Sequence, residues 1–269
     1  MELNNYSQTK KKYDITLMWF YVITIFPEMF YAITNYGVTG KAIHKKIINI
    51  QLFNPRDFTD NKYKSVDDRP YGGGPGMLMS VKPLYSAIQH AKDLSKTAVV
   101  IYLSPQGRRL NQKKILEIVK KKKIIFVCGR YEGIDQRIID NQVDEEWSIG
   151  DYILTGGELA AMVAIDSISR FIPGVIKKKQ SVQEDSFFND LLDYPHYTRP
   201  QVIKNMKVPE ILLSGNHDKI RLWRLKKSLE KTWTKRPDLL KNKILKKEEE
   251  IILNEFKNKI NKKKNKNNY

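Results

Sequence analysis

The sequence predicts an α/β protein built on a parallel sheet covered by helices on both faces. Three observations predict it. Short, continuously apolar runs such as Lys123 to Cys128 alternate with segments of helical period, the pattern of strands buried on both sides. Glycine-rich turns, Gly129 to Gly133 and Ser148 to Gly157, follow two of those runs and open onto helical patterns. At 269 residues the chain is long enough to bury such a core and to carry a smaller second domain. Because true knots are rare, the general rule for connections points to an ordinary, unknotted doubly wound sheet.

The first strand is the apolar run Leu17 to Phe26, which Pro27-Glu28 ends. Lys10, Lys11 and Lys12 ahead of it imitate a signal peptide, yet no small-residue cleavage site follows and the run is too short to span a bilayer. Residues 1–17 are therefore expected as a disordered extension. A helical pattern from Glu28 to Tyr36 stops at Gly37. The following Gly37-Val38-Thr39-Gly40-Lys41 resembles half a phosphate loop, but Asn35 stands where its first glycine belongs and Ala42 replaces the hydroxyl residue. Ile47 to Phe53 alternates as a strand, and Asn54 to Arg69 is polar. Tyr71 to Gly76, with four glycines, is too flexible for a regular element and reads as a ligand-shaping loop or a plain linker.

A regular rhythm follows: helix Lys82 to Asp93, strand Ala98 to Ser104, helix Asn111 to Lys121, strand Lys123 to Cys128, a helix near Ile134, strand Val143 to Ser148, and helix Gly157 to Phe171. Ligands in such sheets sit beyond the carboxyl ends of the strands, where Ser104 to Gly107, Gly129 to Gly133 and Ser148 to Gly157 all fall. Glycine lets main-chain groups approach a ligand closely, although ordinary strand-to-helix turns share this composition. From Pro173 to Phe188 the pattern dissolves into a linker. Beyond Asp190 the chain reads as a small basic helical unit, with Leu222, Leu225, Leu229 and Trp233 on one face and Arg221, Arg224, Lys227 and Lys231 on another. Asn216 and Asp218 are candidate helix N-caps. The cationic face suits a phosphate backbone, and a solvated charged face is the plain alternative.

The formal net charge is +18, and its distribution matters more than its total. Residues 241–269 hold ten Lys against four Glu and residues 1–17 are near neutral, which leaves +11 for residues 18–240. A body that basic expects a polyanion, nucleic acid ahead of a membrane, with Lys/Asn compositional drift as the counter-reading. The single cysteine, Cys128, excludes an internal disulfide framework; within an apolar strand it reads as a buried thiol rather than a nucleophile, and a cytoplasmic setting fits. The four histidines have no metal-ligand spacing.

Several motifs together resemble a known family. Arg56-Asp57-Phe58-Thr59, Val66 to Met77, Tyr102 to Arg108, Gly129-Arg130-Tyr131-Glu132-Gly133, Ser148 to Tyr152, Ser169 to Gly174, Glu184-Asp185-Ser186-Phe187 and Pro195 to Pro200 are similar to the bacterial tRNA (guanine-N1)-methyltransferases, the TrmD family. The resemblance covers roughly Met18 to Leu240. It implies a SPOUT-type parallel sheet with a deep trefoil knot over residues 18–173, a flexible linker over 174–189, a helical tRNA-binding domain over 190–255 and a basic tail over 256–269. It further implies a homodimer, tRNA as partner, no membrane, and S-adenosylmethionine as cofactor with Mg²⁺ an open possibility. By position, Ser104, Gly107, Gly129, Tyr131, Glu132, Ile149, Gly150, Asp151, Tyr152, Ile153, Leu154 and Gly156 are expected to hold the cofactor. Asp185 is expected as general base and Arg170 as the cation stabilising guanine O6, with Glu132 orienting the site; a capping Asp185 and a surface Arg170 are the plain alternatives. Asp67, Arg69, His196, Arg221, Arg224 and Lys227 are expected to touch tRNA. The chain departs from the family in carrying Ala160 where Pro is usual, so one wall of the pocket is expected to be looser. Another RNA substrate, or RNA binding without catalysis, is the rival reading.

Overall fold

The computed structural model describes residues 18–177, 184–241 and 243–266; the extension 1–17, residues 178–183 of the expected linker and the last three residues lie outside it. The chain divides into two units, one up to Lys177 and one from Lys178.

The first unit is organised by five parallel strands: β1 (Met18–Ile23), β2 (Ile48–Phe53), β5 (Val99–Arg109), β6 (Lys123–Cys128) and β7 (Glu145–Ser148), in the order β2-β1-β6-β5-β7. Alternation along β6 explains why the sheet is covered on both faces. Ile124, Phe126 and Cys128 enter one core cluster with Phe20, Val22 and Ile101, while Ile125 and Val127 enter the other with Tyr21, Ile23 and Val100. The helices α2 (Gly37–His44), α4 (Gln112–Ile118) and α6 (Glu158–Ser169) supply residues to the first cluster; α3 (Val81–Leu94) and α5 (Gln136–Gln142) supply the second. Side-chain caps from Asn111 to the Lys114 N–H (3.0 Å) and from Asp135 to the Arg137 N–H (2.9 Å) start α4 and α5.

The structure corrects the expected elements in four places. The pattern from Glu28 to Tyr36 is a 3₁₀ turn, Pro27–Phe30, followed by the single-turn helix α1 (Tyr31–Thr34), and a second helix, α2, begins at Gly37 where a stop was expected. Small residues hide α2 from a hydrophobicity count: Thr39, Gly40 and Ala42 form its buried face, and the Thr39 hydroxyl donates to Asp166 at 3.0 Å. The glycine loop Gly72 to Gly76 is the tip of a small hairpin between β3 (Asp67–Asp68) and β4 (Leu78–Met79). Ser104 to Gly107 is not the end of a strand but a bulge inside β5, because Leu103 and Arg108 both pair with Trp147. Gly107 permits this return, since a Cβ there would lie 2.4 Å from the Glu146 carbonyl carbon.

After β7, at one edge of the sheet, the chain travels back to the carboxyl ends of β6 and β1. The Gly157 N–H donates to the Gly129 carbonyl at 2.9 Å, and Arg130 and Gly156 form an antiparallel bridge. Only then does α6 begin.

In the second unit α7 (His217–Lys235) packs with α8 (Pro237–Lys241) and α9 (Lys247–Lys266), and a short hairpin joins β8 (Val202–Ile203) to β9 (Met206–Lys207). The Asn216 side chain caps α7 by accepting from the Lys219 N–H at 3.0 Å, whereas Asp218 lies inside the first turn. Leu191, Leu229 and Ile252 form its core, with Leu225 packed beside them. Trp233 meets the edge of Phe256, but Leu222 stays exposed, so the expected apolar face is narrower than its spacing suggested.

Candidate functional site

A cleft of about 250 Å³ opens between the bulge of β5 and the carboxyl ends of β6 and β7. It gathers Ser104, Gly129, Tyr131, Glu132, Ile149, Gly150, Tyr152, Ile153, Leu154 and Gly156 of the residues expected there. Gly107 lies beneath, against β7, and Asp151 faces outward, 3.9 Å from Arg109. Ala160, in the first turn of α6, also lines the cleft.

Each wall has a local reason for its shape. The Ser148 hydroxyl donates to the Gly150 carbonyl and accepts from the Gly150 N–H, both at 3.1 Å, which folds the chain sharply out of β7. On the opposite wall the Glu132 N–H donates to the Met77 carbonyl (2.9 Å) and the Met79 N–H to the Gly133 carbonyl (3.0 Å), tying the glycine hairpin to the cleft. The floor includes Tyr102, whose phenol is pushed up to about 12, first by burial and then by the charge of Glu146, so it remains neutral. Burial likewise pushes the Cys128 thiol well up, as a structural cysteine requires.

Sequence reading missed the pair that joins the two glycine loops. Arg130 Nε donates to Glu158 Oε2 at 2.8 Å, and its Nη1 to the Thr155 carbonyl at 3.3 Å. Glu158 Oε1 accepts from the Thr24 hydroxyl at 2.9 Å, while the Arg130 guanidinium stacks 4.5 Å above the Phe26 ring. The side chain of Glu158 is only 1% exposed, so both its oxygens are satisfied without water. Gly156 completes the arrangement because a Cβ there would lie 2.2 Å from Arg130 Nε. The signal was a lone carboxylate opening the otherwise apolar helix Glu158 to Ile165.

The other expected residues lie elsewhere. Arg170 caps the carboxyl end of α6, about 18 Å along the helix from the residue that opens it, so it does not line this cleft. Asp185 belongs to the second unit, in a turn closed by the Phe188 N–H on its carbonyl (3.3 Å). Asp67 accepts from the Ser65 hydroxyl and borders a second depression with Asp60, Asp68 and Lys82; Arg69 is exposed beside it. His196 packs at a tilt against the Tyr194 ring, with centroids 4.7 Å apart, and stands 3.9 Å from Asp193. Arg221, Arg224 and Lys227 are each ion-paired, with Glu248, Glu184 and Glu230 respectively. Among the described residues no group of three or more His, Cys, Asp or Glu side chains stands in metal-holding geometry, and none of their helices is long and apolar enough to cross a membrane.

A parallel α/β sheet whose returning loops close a small cleft, followed by a basic helical unit, defines a class of α/β protein with a loop-built cleft and a helical appendage. Comparison with known proteins narrows the class. The model of the family described as "tRNA (Guanine-1)-methyltransferase TrmD" matches residues 18–242, and the chain belongs to that family. It is similar to proteins named "tRNA (guanine-N(1)-)-methyltransferase" from Buchnera aphidicola subsp. Schizaphis graminum, at 87% identity over 97% of this chain and 100% of the relative. A second relative of that name, from Histophilus somni strain 2336, is 58% identical over 89% of this chain and 98% of its own length.

Proposed function

We propose that this protein is a tRNA (guanine-N1)-methyltransferase that uses S-adenosylmethionine to methylate the guanosine immediately 3′ of the anticodon. The observation that carries the reading is family membership across both units, with the cleft residues and Asp185 and Arg170 all present. The cleft fits the cofactor's chemistry: the glycine-rich residues 129–133, 149–150 and 152–157 line it, and Ile149 and Leu154 offer apolar walls. When bound there, S-adenosylmethionine supplies an electrophilic methyl group. Glu132, which lines the cleft, is assigned to orienting what occupies it, and no step is assigned to Mg²⁺.

Guanine N1 carries a proton at neutral pH, so its lone pair reaches the methyl only as that proton leaves. Asp185 accepts it, and Arg170 neutralises the negative charge that spreads to O6. Because Arg170 sits at the far end of α6 from its own cleft, the reading calls for a homodimer in which one copy completes the other's site. Exposed apolar groups on the start of α6 and beside it, Leu159, Val163 and Ile153, are consistent with such a partner. The return of the chain from β7 to the ends of β6 and β1 before α6 is likewise what a trefoil knot needs. The target guanosine must leave its stack to reach the cleft, and Asp67, Arg69, His196, Arg221, Arg224 and Lys227 are assigned to holding the tRNA. The enzyme is read as cytoplasmic.

The test is transfer of labelled methyl to two tRNA transcripts, one with guanosine and one with adenosine 3′ of the anticodon. Label on the guanosine transcript alone, with reverse transcription stopping there, is the expected result. Label on neither, with the cofactor still bound, would point to another RNA. D185N is expected to abolish turnover while leaving cofactor affinity within about 3-fold, and R170A to lower kcat by about 10²-fold; full activity in D185N would remove Asp185 as the base.

A further inference from the structure

The cations expected to grip RNA on α7 are already occupied. Arg221 makes a two-pronged contact with Glu248 (3.0 and 2.7 Å), Lys227 meets Glu230 at 2.7 Å, and Arg224 lies over the Tyr194 ring near Glu184. A different set of cations is left without carboxylate partners among the described residues. It lies on α9, beyond residue 242 where the family match ends.

Helix α9 changes character along its length. Its first turns carry Glu248, which pairs with Arg221, and Glu249, which pairs with Lys243 and accepts from the Lys246 N–H, and these contacts tie the helix to its own unit. Ile252, Leu253, Phe256 and Ile260 then share one face at helical spacing; Ile252 and Leu253 are buried, and Phe256 meets Trp233 with ring centroids 5.7 Å apart. That anchoring holds the rest of the helix in a defined orientation. After Glu255 the sequence contains no further acid and six lysines. At helical spacing Lys257, half-buried, and Lys259, exposed, flank that stripe on its two sides, and Lys262 is exposed on the far side. Lysines near a helix carboxyl end also complement its dipole, but that effect reaches only the last turn, and Lys257 and Lys259 lie before it.

We propose that the basic half of α9 is an added RNA-contact surface, in which Lys257, Lys259 and Lys262 each take a backbone phosphate of the tRNA. The inference rests on tRNA being the substrate, as read above, and adds a binding surface outside the residues the family match covers. Phosphate contacts of this kind carry no sequence information; they raise affinity and capture rate and make both depend on salt.

Fluorescence anisotropy of a labelled tRNA transcript with the full chain, from about 50 to about 200 mM salt, tests it. The triple variant K257Q/K259Q/K262Q is expected to flatten the slope of log Kd against log salt by about 2 to 3, at roughly 0.7 to 0.9 per lost phosphate contact. The triple variant K257R/K259R/K262R keeps the charge and is expected to keep the slope, with both compared at equal helix content by circular dichroism. An unchanged slope in the Gln triple, or equal loss in the Arg triple, overturns the proposal, including where the lysines serve an acidic protein instead. If wild-type protein methylates the guanosine transcript while the Gln triple binds it with unaltered salt dependence, this inference alone fails. If wild-type protein does not bind tRNA, the functional reading fails with it.

Discussion

Two arginine–glutamate pairs, one in each unit, use the same chemistry for opposite ends. Arg130 and Glu158 have side chains 16% and 1% exposed and hold two loops of a cleft together; Arg221 and Glu248 are 59% and 45% exposed and join two helices at the surface. Water solvates the second pair almost as well apart as together, so its contribution to stability is small. Inside the cleft wall no water replaces a lost partner. The buried pair therefore fixes geometry, while the exposed pair can be exchanged for another anion, and the phosphate of an RNA is such an anion.

Removing one member of each pair is the sharpest way to break this comparison. E158A leaves Arg130 and the Thr24 hydroxyl facing a void in a buried site, and is expected to lower stability by about 3–5 kcal/mol in urea unfolding. Cofactor affinity measured by calorimetry should fall with it, because Arg130 then no longer holds the Thr155 carbonyl in place. G156A is expected to act through the same pair with a smaller effect, about 1–3 kcal/mol, since its Cβ would fall 2.2 Å from Arg130 Nε and push the guanidinium off Glu158. Unaltered stability and affinity in G156A would mean that the loops hold their positions without the pair.

Local patterns carried the sheet, and distant partners did not. The central strands β1 and β6 were legible because each is a nearly continuous apolar run, and β6 was read to its terminal residues for that reason. Turn chemistry at Ser104-Pro105-Gln106-Gly107 suggested a strand end, but the pairing of Arg108 and Arg109 with β7 is made across nearly forty residues and leaves no mark in the local composition. Arg130 and Glu158 are 28 residues apart, so neither motif announces the other. Glycine spacing found most of the cleft because the physical demand for close approach is local to each loop. Leu222 shows the reverse error: helical periodicity placed it with Leu225 and Leu229, yet the neighbouring elements cover only the latter two. G107A tests the non-local part, with an expected loss of about 1–3 kcal/mol, because its Cβ would meet the backbone of β7 and separate the two strands.

The exposed pair predicts the smallest change in stability and an opposite change in function. A hydrogen bond from Arg221 and its charge hold the Glu248 carboxyl below the ordinary carboxylate range. Since the folded-state value is the depressed one, the pair contributes its stability at pH above about 4.3, the unfolded value, and loses it as pH falls through the folded value. E248Q should thus unfold at nearly the wild-type urea midpoint at neutral pH, and the residual difference should close as pH falls below the depressed folded-state value of Glu248. At neutral pH, however, Glu248 is charged and competes with any phosphate for Arg221. Relieving that competition should tighten tRNA binding and steepen its salt dependence by up to about 1 unit of slope. Weaker binding in E248Q would show that the carboxylate positions Arg221 for RNA instead of shielding it, and the division between a geometry-fixing buried pair and an exchangeable exposed one would then fail at its second member.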